Sequence, residues 1–147
     1  MRNSLLLFLF SIVAFSCTEE IYDNNPEREQ VVLFTKNYKI NARDWQLVGE
    51  VNGVDSYYEY LFKERNITQN IYEGGMLVAY LYQMDGKVEI QTPLPFNFYD
   101  TNGVSLWTER YSFNYNPGEI AFTVHFNDFV TQMKPPSQEF RLVVMHK

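Results

Sequence analysis

The chain is poor in the residues that most enzyme chemistry needs. It has one cysteine, Cys17, and two histidines, His125 and His146. A lone thiol gives no disulfide framework within the chain. Transition-metal sites need clustered His, Cys or carboxylate ligands; His125 and Asp128 lie three apart, with no third candidate beside them. No metal or other cofactor is therefore expected. Beyond residue 16 the serines are Ser56, Ser105, Ser112 and Ser137, and none sits in the Gly-x-Ser-x-Gly elbow that exposes a nucleophile. Lysine and arginine form no cluster, and the net charge is −6, which argues against nucleic acid as a partner. Heptads, Gly-X-Y repeats and internal repeats are absent.

What is present begins with the first seventeen residues. Met1-Arg2-Asn3 is a short basic start, and Leu5 to Phe15 is almost wholly apolar. That run is far short of the roughly 20 residues a helix needs to cross a bilayer. Its length suits the central region of a secretory signal. Ala14-Phe15-Ser16-Cys17 then resembles the lipobox of bacterial lipoproteins, where cleavage precedes a cysteine whose sulfur is acylated. It departs from the usual pattern in having Ala14 where a leucine is common, a looseness that resembles lipoproteins of the Bacteroidota. The expected organisation is a signal at 1–16, a lipidated Cys17 with an acidic tether through 29, and a domain at 30–147. Several acyl chains at roughly 0.8 kcal/mol per buried methylene make such an anchor effectively permanent.

Residues 18–29, TEEIYDNNPERE, are polar, acidic and interrupted by Pro26, as a flexible tether would be. Glu19 and Glu20 resemble the acidic signal that sends some Bacteroidota lipoproteins to the outer face of the outer membrane; the expected location is the outer membrane, on its periplasmic or cell-surface face. The rest is rich in aromatics, with 11 Tyr and 12 Phe in the whole chain, and such rings pack well on a pleated surface.

Alternation predicts strands at Val31–Ile40, Trp45–Val51, Val54–Phe62, Met76–Tyr82, Lys87–Thr92, Leu106–Tyr115, Glu119–Asn127 and Glu139–His146. Asn52-Gly53 and Asp85-Gly86 supply tight hairpin turns. Thr68 caps a short helix through Tyr72, with Gly74 as a left-handed stop. Pro93 and Pro95 bound a loop that carries Phe96, Phe98 and Tyr99. The fold class is all-β: an antiparallel β-sandwich of about seven or eight strands with one short helix.

The stretch Ile67–Phe96 (ITQNIYEGGMLVAYLYQMDGKVEIQTPLPF), Trp45 upstream and the closing Phe140-Arg141-Leu142-Val143-Val144 are similar to an uncharacterised family of secreted and lipid-anchored Bacteroidota proteins. The shared features are a Trp before a β-arm, an Ile-Thr helical turn, a Gly, an apolar strand ending in Tyr80, and the Leu94-Pro95 step. The resemblance implies location and fold and brings no catalytic residues.

Asp100-Thr101-Asn102-Gly103 resembles the opening of a calcium loop but lacks its further carboxylates. Paired acids for glycoside hydrolysis can come from distant strands. Glu109 is the one strand acid that alternation places on the face of Trp107 and Tyr111, which makes it a buried or cleft acid or marks a slip of the face assignment there. Surplus aromatics are the feature that points to binding, and Phe96, Phe98 and Tyr99 are the candidate patch. The expectation is a non-catalytic, lipid-anchored envelope lipoprotein that serves as a structural or protein-interaction module. The alternative is a carbohydrate-binding accessory lipoprotein that uses exposed aromatics. The partners expected are thus a membrane, through the lipid, and a protein or glycan.

Overall fold

The computed structural model describes residues 31–101 and 103–146. They form a two-sheet antiparallel sandwich. In chain order the strands are β1 (Val31–Ile40), β2 (Gln46–Val48), β3 (Tyr57–Glu64), β4 (Met76–Asp85), β5 (Val88–Pro93), β6 (Phe96–Thr101), β7 (Leu106–Asn116), β8 (Gly118–Phe126) and β9 (Gln138–His146). A 3-10 turn, Ala42–Asp44, precedes β2, and the helix α1, Gln69–Gly74, precedes β4. One sheet runs β1-β9-β4-β5 and the other β2-β3-β8-β7-β6.

Period-two patterning explains the two layers, because alternate side chains face the same side of a strand. Ile120, Phe122 and Val124 of β8 are buried, as are Phe140, Leu142 and Val144 of β9. The sheets meet where Phe122 stacks on Phe140, with ring centroids 4.2 Å apart. Tyr38 of β1 reaches across to Phe62 and Phe122 at 4.7 and 5.6 Å. Burying each such ring stabilises the fold by roughly 1.5–3 kcal/mol. Among the described residues Glu64 is the one buried acid, 2% exposed. It accepts hydrogen bonds from Lys36 Nζ at 2.5 Å, Tyr38 Oη at 2.6 Å and the Asn66 amide at 3.2 Å. This network ties β1 of one sheet to the end of β3 in the other.

Local details depart from the sequence expectations in three places. Residues 96–101 are an edge strand, β6, and not a loop: the Pro95 break ends before Phe96, whose strand pairs along β7 from Phe96–Tyr111 to Thr101–Leu106. Asn52-Gly53 does not make a tight hairpin. The chain between β2 and β3 runs from Gly49 to Ser56, and only Asn52 of the pair has positive φ, 59°. Asn52 exchanges hydrogen bonds with Thr131, of 2.8 and 2.9 Å, so a tertiary contact sets the shape of this connection. Thr68 caps α1 through the Ile71 amide, yet Gly74 is no left-handed stop. The helix ends at Gly75 with φ −90°, and a Cβ there would lie 2.6 Å from the Ile71 carbonyl oxygen. Glycine is needed for close approach, not for its φ. On β5, an edge strand of its sheet, Val88 and Ile90 are exposed.

Candidate functional site

The register of β6, β7 and β8 sets the inner face at one end of the sandwich. Phe98 opposes Glu109 and Asp100 opposes Trp107, while Glu109 also opposes Phe126. Phe98, Asp100, Trp107, Glu109 and Phe126 therefore share one side of the sheet, and that side faces inward. The opposite sheet does not close over it. What remains is a cavity of about 490 Å³ lined by these residues' outer part and by the segment between β8 and β9: Asp100, Trp107, Glu109 and Phe126 on one side, Asp128, Val130, Met133, Lys134, Pro135 and Pro136 on the other. A second cavity of about 410 Å³ opens between Phe98, Tyr111 and Gln83 with Gln138. The two share Asp100, Glu109 and Pro136, so they form one cleft. Its size lies in the range of small-molecule sites.

The wall of the cleft is irregular chain held by side chains. Thr131 is 1% exposed. Its amide donates to Asn52 Oδ1, and its carbonyl accepts from the Tyr58 hydroxyl at 2.7 Å. Trp45 Nε1 donates to the Pro136 carbonyl at 3.0 Å. Lys134 Nζ donates to the carbonyls of Arg43 and Trp45, both at 2.7 Å. Elements as distant in sequence as the 3-10 turn and the β2–β3 connection thus fix Val130–Pro136 in place.

Inside the cleft, the Tyr111 hydroxyl donates to Glu109 Oε2 at 3.0 Å, and Gln138 Nε2 reaches that hydroxyl at 3.5 Å. Burial first, and then the Glu109 charge and hydrogen bond, push the Tyr111 hydroxyl well above the usual phenol range. It stays a protonated donor at any physiological pH. Among the described residues no Lys or Arg pairs with Asp100, Glu109 or Asp128.

The chain matches no family model, no curated protein and no solved structure.

The residues singled out from sequence are dispersed by this geometry. Cys17 lies outside the described residues. Phe96 and Phe98 are half-buried and pack on the core, with their rings 4.8 Å apart and Phe98 5.7 Å from Tyr111. Tyr99 takes the opposite face of the same strand and is 73% exposed. Alternation along β6 therefore sets Phe96 and Phe98 on one face and Tyr99 on the other, while Phe98 and Tyr99 border the smaller cavity. His125 stacks on Tyr57 at 4.5 Å; burial first and the Arg110 charge second hold its imidazole below the ordinary value. Asp128 Oδ1 accepts from the Val130 amide. Among the described residues no group of three or more His, Cys, Asp or Glu could hold a metal ion. Asp100 accepts from the Thr101 amide, and Thr101 Oγ1 donates to the Ser105 carbonyl, the hydrogen bonding of an ordinary turn. Glu109 is where alternation placed it, beside Trp107 and Tyr111. Gln83, Gln138 and Lys134 carried no local signal, because they reach the cleft through long-range packing alone.

Proposed function

We propose that this chain is a lipid-anchored, non-catalytic binding module of the bacterial cell envelope, cut before Cys17 and held by acyl chains on that sulfur. An outer-membrane location and kinship with Bacteroidota lipoproteins belong to the same proposal and rest on the N-terminal pattern and the short motifs described above. The observation that carries the binding role is the polarity of the sandwich. β1 starts with Val31 opposite His146 and ends with Ile40 opposite Gln138, and Gln138 lines the cleft. Ten residues of strand span roughly 33 Å. A tether joined to β1 at Val31 thus meets the pole remote from the cleft and leaves the cleft unobstructed by the anchor. Exposed apolar residues edge the same pole: Tyr99, Val104, Leu106, Val130 and Met133. Such side chains suit contact with a partner more than with water.

The anchor is tested in a lipoprotein-processing bacterial host. Wild type is expected to take up labelled palmitate and to sediment with membranes, and Cys17→Ala to lose both. If the alanine variant sediments as fully as its parent, the anchor assignment fails. Release of reducing ends from glycans by the purified protein would refute the non-catalytic part.

A further inference from the structure

We infer that the cleft is a saccharide site, with Trp107 as the ring on which a sugar stacks and Asp100, Glu109 and Gln138 as its hydroxyl partners. The inference rests on reading the open pole as the binding end.

The lining decides the ligand class by exclusion. Asp100, Glu109 and Asp128 make the cleft hostile to an anion. A wholly apolar ligand would strip water from those carboxylates and return no hydrogen bond, at a cost of several kcal/mol. A cation suits the carboxylates, but it only donates. The Gln83 and Gln138 amides offer N–H donors as well as carbonyl acceptors, and a cation would use only the acceptors; one Gln138 N–H already faces the Tyr111 hydroxyl at 3.5 Å. Sugar hydroxyls donate and accept, so they serve the carboxylates and the amides together. The apolar C–H face of a pyranose also needs a flat apolar partner, and Trp107 supplies one. It is half-buried, backed by the core, and lines the larger cavity. Lys134 does not compete for the carboxylates, since its ammonium is tied to the Arg43 and Trp45 carbonyls. Two cavities joined at Asp100 and Glu109 favour an oligosaccharide over a single ring, one unit at Trp107 and the next toward Gln138.

Tryptophan emission can read this directly. Trp45 is 0% exposed, so acrylamide quenching of the folded protein reports on Trp107. The full-length protein in detergent would be titrated with soluble oligosaccharides derived from starch, cellulose, xylan, mannan and chitin, and with hexaarginine as a cationic control. At least one neutral oligosaccharide is expected to shield Trp107 at millimolar concentration or below, with little dependence on salt. Glu109→Gln and Gln138→Ala are expected to weaken that binding about tenfold each, the size of one lost charged or neutral hydrogen bond, with circular dichroism unchanged. Shielding by hexaarginine alone, abolished by salt, would keep the pole as a binding end and overturn the sugar. No shielding by any probe would overturn both the sugar and the cleft as the binding end. Shielding that survives both substitutions would overturn the assigned residues.

Discussion

Trp45→Ala is expected to lower the unfolding free energy by about 3–5 kcal/mol, a large part of the 5–15 kcal/mol available to a typical domain. Trp45 is the largest of the fully buried side chains. Its ring meets Phe140 edge-on at 6.3 Å, and Phe140 in turn stacks on Phe122 where the sheets join. Removing the indole leaves a cavity that neighbouring strands cannot refill without moving. It also leaves the Pro136 carbonyl without its donor, which adds an unsatisfied polar group at roughly 1–3 kcal/mol. Trp45→Phe separates the two effects, because it retains most of the packing and loses only the donor. Urea unfolding followed by circular dichroism should rank wild type above Trp45→Phe and Trp45→Phe above Trp45→Ala. An alanine variant within about 1 kcal/mol of wild type would show that the side chain is not the keystone of this core.

Glu64→Ala is the second large effect, about 2–3 kcal/mol at neutral pH. Lys36 is partly exposed and can turn to water, so most of the loss comes from the buried Tyr38 hydroxyl and the Asn66 amide. The native carboxylate also makes stability depend on acid. Burial alone would raise its pKa; the hydrogen bonds from Lys36, Tyr38 and Asn66 and the Lys36 charge outweigh this and leave it below the ordinary 4.5. In the pH range between the folded value and 4.5 the unfolded chain therefore binds the proton first, and stability drains away as pH falls through that window. Tyr38 has the opposite sign. Burial first, then the hydrogen bond to Glu64 and its charge, raise its pKa above 10.0, so its contribution is whole below pH 10 and is lost above it. Unfolding midpoints measured from pH 7 to pH 3 should fall for wild type by more than for Glu64→Gln. Parallel curves would mean that Glu64 is not ionised in the folded protein.

Most of the sandwich was legible from alternation. β8 and β9 bury the very residues their pattern assigns to the core, and the two prolines of the β5–β6 step, Pro93 and Pro95, mark a true change of sheet. Legibility failed where a residue's setting comes from a distant partner. Nothing local to Asn52 announces Thr131, and nothing local to Val88 says that its strand lies at a sheet edge. The candidate site shows the same division. Glu109 could be found, because an acid on the face of Trp107 and Tyr111 breaks a simple pattern. The three aromatics of β6 could not be separated into inward and outward while they were taken for a loop, since alternation has meaning only in a strand.

The segment from Asn127 to Ser137 has no ladder of its own, yet Asn52, Tyr58, Trp45 and Lys134 bind it to the rest at one point after another. Those hydrogen bonds tie its opening to the breaking of contacts with β3 and with the turn before β2. A ligand that arrives at such a surface has little motion to freeze, so less of its contact energy goes into ordering the protein. A stretch that reads as a surface connection thus behaves, thermodynamically, as scaffold.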